Sequence, residues 1–281
     1  MNRLPAKDRA KILHLLCDGN SIRAVTRLTG VSKNTVTKLL VDAGRACAEY
    51  QDGVFHDLSC KRIQVDEIWS FVYSKQRNVS AHKQGEAGDV WTWTAICADT
   101  KLVPSWLVGG RDSEYAKAFV DDLASRLAGR VQLTSDGHRA YLEAVEGAFG
   151  AGIDYAMLVK MYGSVPESAK GRYSPAECIG ARKKNVEGNP DPKHVSTSYA
   201  ERANLTMRTH IRRFTRLTNA FLKKVENHAH SIALHFMHYN FICIHQSLKV
   251  TPAMAAGVTG RLWEMSDIVA VLEDLEKSDS N

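Results

Sequence analysis

The run RIQVDEIWSFVYSK, Arg62 to Lys75, is so rich in Ile, Val, Trp, Phe and Tyr that it reads as a buried central β-strand, yet Asp66 and Glu67 stand in its middle. A carboxylate inside a strand is costly to bury unless it is paired or bound to a metal. The chain must therefore build a sheet around an acidic point.

The next hundred residues supply the rest of that sheet. VWTWTAICAD and LVPSWLVGG, joined at Thr100-Lys101, read as a hairpin. Glu114 to Ala128 has a helical pattern with Ala118, Phe119, Leu123 and Leu127 on one side. VQLTSDGHRAY is a strand ending on Asp136, Tyr141 to Phe149 a helix, and DYAMLVKMY a further strand. Three strands, helix, strand, helix, strand, then helices is the layout of the ribonuclease H-like α/β fold, a mixed sheet flanked by helices. In that fold acids on the first and fourth strands and on a late helix meet over one edge of the sheet.

Ahead of the sheet, Pro5 opens a helix with Ile12, Leu13 and Leu16 inward and Gly19 as its stop. Ser21 caps SIRAVTRL, Thr29-Gly30-Val31 turns, and Ser32 caps KNTVTKLL. This spacing is that of a helix-turn-helix, an all-α N-terminal domain whose third helix offers Lys33, Asn34, Thr37 and Lys38 to a DNA groove. The expected division is 1–50 helix-turn-helix domain, 51–61 linker, 62–260 catalytic domain with an insertion at about 163–197, and 261–281 C-terminal helix. The insertion carries a basic patch, Arg182, Lys183 and Lys184, and is expected to contact DNA and to contain a small hairpin.

A chain of 281 residues, 44% hydrophobic, buries one good-sized core plus a small accessory domain. A net charge of +6 is modest, so nucleic-acid contact must come from clustered cations. Six cysteines without a CxxC pair argue against a zinc ribbon and a disulfide-framed secreted protein, and fit a reduced cytoplasm. No apolar run approaches about 18 residues, and nothing points to a membrane.

The densest cation cluster lies in STSYAERANLTMRTHIRRFTRLTNAFLKK, Ser196 to Lys224. The pattern predicts a helix of about six turns with Ser198 as N-cap. Ala203, Met207, His210, Phe214, Leu217 and Phe221 form its apolar stripe, and Glu201, Asn204, Arg208, Arg212 and Thr215 lie opposite. From Arg202 to Lys224 seven cations, Arg216 among them, meet no acid. Such a face fits a phosphate backbone.

Asp66, Asp136 and Glu201 thus stand out by position, far apart along the chain. Phosphodiester chemistry needs an activated oxygen nucleophile, a stabilised leaving oxygen and charge neutralisation. Two Mg²⁺ ions about 3.5–4 Å apart supply all three, with Mn²⁺ as the alternative ion. Asp66 would bridge both ions, with Asp136 and Glu201 each completing one. His228, His230, His235, His238 and His245 fit no common zinc spacing, and no cysteine joins the helical pair His235 and His238. They read as core or surface histidines, with His238, Asn240 and His245 as candidate supporting groups near the acids.

VDEIWSFV, TSDGHRAY, STSYAERANLTMR, RRFTRLTNAFLKK and HYNFICIHQSLKVTPAMAAG, in that order, resemble the insertion-sequence-one family of bacterial transposases over about Arg62 to Val258. The resemblance implies an Asp66, Asp136, Glu201 triad with Asn204 and Arg208 beside it. It implies Mg²⁺-dependent cleavage and strand transfer at inverted-repeat ends and a target duplex, without a covalent protein intermediate. Joining two ends implies a homodimer or larger assembly, working on the nucleoid in a prokaryotic cytoplasm. Two other readings stand beside it. One is a catalytically silent DNA-binding regulator derived from such an enzyme. The other is a tyrosine recombinase, prompted by His210-Ile211-Arg212-Arg213, for which a nucleophile such as Tyr239 would be needed.

Overall fold

The computed structural model describes residues 4–163, 178–214 and 224–279. Three helices lead the chain: α1 (Ala6–Cys17), α2 (Ile22–Thr29) and α3 (Lys33–Val54). Ser21 and Ser32 cap α2 and α3, accepting from the amides of Ala24 and Thr35, and Gly30 closes α2 in the left-handed region. Helix α3 runs on past Leu40 to Val54, and the stretch expected as a linker buries Gln51, Phe55, Leu58 and Cys60. Ile12, Val36 and Leu40 share one continuous core with the sheet and with the C-terminal helices α7 (Val225–Phe241) and α9 (Met265–Ser278).

The sheet has six strands: β1 (Arg62–Val72), β2 (Gly88–Cys97), β3 (Ser105–Gly109), β4 (Gln132–Ser135), β5 (Asp154–Tyr162) and β6 (Cys178–Glu187), in spatial order β3-β2-β1-β4-β5-β6. Strands β2 and β3 pair in an antiparallel meander with β1, whereas β4 and β5 continue the sheet in parallel with it. A mixed six-stranded sheet in this order, flanked by helices, is compatible with the ribonuclease H-like layout. Strand β6 pairs antiparallel with β5 and lies within the expected insertion, so part of that insertion extends the sheet.

Alternation along β1 divides its side chains between two layers. Ile63 and Val65 pack with Phe119 of α4 (Ser113–Arg126) and Tyr141 of α5 (Ala140–Phe149). Ile68 packs on the opposite face with Ala200, Ala203 and Met207 of α6 (Ser198–His210) and with Ile232 and Phe236 of α7. The short α8 (Pro252–Ala255) precedes α9. Asn240 pins the β2–β3 connection, exchanging two 3.0 Å hydrogen bonds with the backbone of Val103.

Helix α6 corrects the sequence reading. It has 13 residues, not six turns, and Ile211 breaks it by turning into the extended region. That turn sends Ile211 and Phe214 into the apolar layer beneath the sheet, a burial that outweighs continuing a helix whose next residues are cationic. His210, expected in the stripe, is exposed. Thr197 rather than Ser198 takes the N-cap position, but it makes no capping bond. Leu217 and Phe221 lie outside the described residues.

Close packing of α3 on α7 makes an opposite-sign test. A Cβ on Gly44 would meet the His230 carbonyl oxygen at 2.4 Å, whereas one on Gly53 would meet nothing within 4 Å. Gly44→Ala is expected to destabilise the protein by about 1–3 kcal/mol. Gly53→Ala is expected to stabilise it by about 0.5–1 kcal/mol. Urea unfolding of the two variants checks both signs.

Candidate active site

Register brings the acids together. The parallel β1–β4 pairing sets Gln64 opposite Thr134, and two residues further along each strand come Asp66 and Asp136. Asp136 stands just past the end of β4, where its Oδ1 accepts from the His138 amide at 2.8 Å in an Asx-turn. Across the sheet, Gln64 Oε1 accepts from the amides of Tyr199 and Ala200 at 2.7 and 3.3 Å, supplying the cap that α6 lacks. One turn further along α6, Asn204 Nδ2 donates to Asp66 Oδ2 at 2.8 Å. Strand β1 and helix α6 are thus clasped at two successive same-face positions of the strand.

Among the described residues, Asp66, Glu67 and Asp136 form the group of potential ligands whose donor atoms all lie within 4.8 Å of one another. Burial first, and then the negative charge of Asp136, raise Asp66 to about 6, and Glu201 adds to the rise. Burial likewise raises Glu67 to about 7, with Asp136 and Asp66 adding and Tyr141 and Arg111 opposing. The Tyr141 hydroxyl stands beside that carboxyl short of regular hydrogen-bond geometry, and Glu67 Oε1 is buried without a partner.

Glu201 stands outside the 4.8 Å group, yet close enough for its charge to act on Asp66. Its Oε1 accepts from Lys160 Nζ at 2.6 Å and from Thr197 Oγ1 at 2.5 Å. Burial would raise its pKa, but the Lys160 ion pair and the Thr197 hydroxyl outweigh that and lower it. The structure therefore gathers Asp66 and Asp136 closely and holds Glu201 at their side. The sequence reading missed Lys160, Gln64 and Thr197. For Lys160 a signal existed, since position 160 shares the strand parity of Ala156, which pairs with Thr134 on the face of Gln64.

Asp66 and Glu67, raised by burial and by the neighbouring charge of Asp136, suit a divalent cation. Their donors are hard oxygens of the kind Mg²⁺ and Mn²⁺ take, and a cation between them would remove the repulsion.

The expected DNA-contacting residues fall in several places. Lys33, Asn34 and Thr37 line a cleft of about 930 Å³ with Arg23, Arg212 and Lys224, and no acidic residue borders it among the described residues. Half-buried Arg213 also borders the cleft, desolvated enough that its pKa falls to about 10. Lys38 is engaged instead by Asp42, one turn along α3 at 2.5 Å. Arg182, Lys183 and Lys184 are exposed on strand β6, with the Lys183 ammonium donating to the Pro192 carbonyl. Arg208 is half-buried on α6, and Arg216 lies outside the described residues.

The histidine expectations are partly corrected. His228 and His235 are buried and pushed down to about 3, His238 to about 4, in each case chiefly by desolvation, so all three are neutral. His238 and Asn240 do not support the acids. His238 contacts the His14 ring and Cys243, Asn240 holds Val103, and His245 bonds to Val250 and Ser247. Cys243 Sγ lies 3.2 Å from His238 Nδ1, a thiol neighbour that residue spacing did not reveal, but no third donor joins them within 4.8 Å among the described residues.

No protein-family model matches the chain, and no curated protein matches it. Among solved structures it is similar to a piggyBac transposase synaptic complex with hairpin DNA, at 11% identity and a TM-score of 0.36, covering 96% of this chain and 71% of that one. At that identity and score the likeness decides neither fold nor chemistry. No helix among the described residues is long and apolar enough to cross a membrane.

The raised acids give a pH dependence with a definite sign. Asp66 and Glu67 hold their protons more tightly in the folded state than the ordinary values near 4 of the unfolded chain, so ionising them opposes folding. Their contribution is intact below about pH 4 and is lost as pH rises through about 6 and 7. Mg²⁺ is therefore expected to raise Tm more at pH 8 than at pH 5, checked by thermal unfolding with and without the ion.

Proposed function

We propose that the chain is a DNA transposase that cleaves and joins DNA at the inverted-repeat ends of an insertion sequence, with Asp66, Asp136 and Glu201 holding Mg²⁺ or Mn²⁺. The observation that carries this reading is the β1–β4 register, which sets two acids remote in sequence beside each other, with Glu201 at their side on the clasped helix α6. A divalent pair bound there supplies an activated oxygen nucleophile and a stabilised leaving oxygen.

The protein's own groups orient the site. Asn204 and the Glu67 amide fix the two oxygens of Asp66, leaving its remaining lone pairs for a cation. The Asx-turn fixes Asp136, and Lys160 with Thr197 holds Glu201 until a cation competes for it. Cations of the cleft and of β6 bind the DNA backbone, with Lys33, Asn34 and Thr37 reaching base edges. The proposed division is functional, a helix-turn-helix segment over 1–50 and a catalytic segment over 62–260 packed on one shared core, acting as a homodimer or larger assembly on paired ends and a target duplex.

The Lys160–Glu201 ion pair also fits the second reading, a regulator that binds DNA without cutting it. Cleavage decides between them. Supercoiled plasmid carrying the gene with its flanking DNA is incubated with purified protein in Mg²⁺. Asp66→Asn and Asp136→Asn are expected to lower nicking by at least about a hundredfold while retaining DNA binding. Equal nicking by wild type and variants removes the acids from catalysis, and binding without metal-dependent nicking by the wild type favours the regulator.

A further inference from the structure

Arg111, in the turn between β3 and α4, lies outside every sequence motif of the acidic site and the cation clusters. Its Nε donates to Glu67 Oε2 at 3.1 Å, its Nη2 lies 3.0 Å from the same oxygen in an ion pair, and its guanidinium carbon lies 4.5 Å from the centre of the Trp91 ring. The pair is asymmetric: the Glu67 side chain is 1% exposed and that of Arg111 38%. Among the described residues Nη1 makes no hydrogen bond. A sealed carboxylate and an aromatic plate therefore fix the inner edge of a guanidinium whose outer edge is open.

Fold stability alone does not account for such a pair. Exchanging a buried ion pair for apolar groups is often neutral or stabilising, so its presence is weak reason to infer a purely structural role. Location supplies the other half. A Glu67 carboxylate oxygen lies within 4.8 Å of oxygens of both Asp66 and Asp136, so Arg111 stands one carboxylate away from the acidic centre. It reaches that centre from the α4–α5 layer, opposite the Asn204 side. A rigid planar fork with spare N–H groups matches the oxygens of a phosphodiester.

We propose that Arg111 binds a non-bridging oxygen of the DNA phosphate seated at the acidic centre, with Glu67 and Trp91 as the residues that position it. This rests on the transposase reading. Glu67, adjacent in sequence to Asp66, then serves to orient this cation beside the triad.

The test is the salt dependence of binding to a short fluorescein-labelled duplex in Ca²⁺, followed by anisotropy, with thermal unfolding as the check on folding. Arg111→Gln is expected to weaken binding by about tenfold or more and to flatten the log–log salt slope by about one unit. Arg111→Lys keeps the slope and recovers part of the affinity. The double variant Arg111→Gln with Glu67→Gln, which leaves no buried carboxylate unpaired, should show the same flattened slope with Tm nearer wild type. An unchanged slope in both Gln variants, with only Tm lowered, overturns the proposal. If that result accompanies loss of nicking in Asp66→Asn, the transposase reading stands without Arg111; if Asp66→Asn nicks like wild type, both fall.

Discussion

The clasp between β1 and α6 is the interaction on which the rest depends. Gln64 caps the amides at the head of α6, and Asp66, two residues on and on the same face of the strand, accepts from Asn204 one turn along. A strand repeat of two residues spans about 6.6 Å and one helical turn about 5.4 Å. The two periods are close enough for successive strand positions to meet successive turns. This match puts Glu201, in the first turn of α6, beside an acid far away in the chain. Without it the late acid would have no fixed relation to the sheet.

The same arrangement creates electrostatic tension. Two carboxyls sit on adjacent strand positions, a third past the end of β4 and a fourth on α6; burial first, and then the charges of their neighbours, push Asp66 and Glu67 upward. The molecule relieves it at the margins: Arg111 engages Glu67 on one side of the sheet and Lys160 engages Glu201 on the other. Asp66 and Asp136, between these two cations, receive hydrogen bonds from neighbouring groups, but neither has an ion pair among the described residues. The compensation stops at Asp66 and Asp136, where the proposed divalent ions would sit.

Much of this was legible in the sequence. The β-rich run around Asp66, the strand ending on Asp136 and the serine caps of α2 and α3 obey local rules of alternation and capping, and the element order pointed to the mixed sheet. What escaped were the features set by tertiary packing. Helix α6 stops at Ile211 because burial of Ile211 and Phe214 beneath the sheet overrides helical continuation. Arg111 and Lys160 were not among the expected site residues: strand parity could have pointed to Lys160, but nothing local says that the turn after β3 converges on the same acids. Glu67 directly follows Asp66, yet strand alternation sends it to the other layer and to Arg111.

Whether those acids share divalent ions is answered most directly by crystals of the protein soaked in Mn²⁺ and measured at the manganese absorption edge. Anomalous density between Asp66 and Asp136, with the Glu201 carboxylate turned from Lys160 toward it, is the predicted result. Full Mn²⁺ occupancy elsewhere with none at these carboxylates would contradict it.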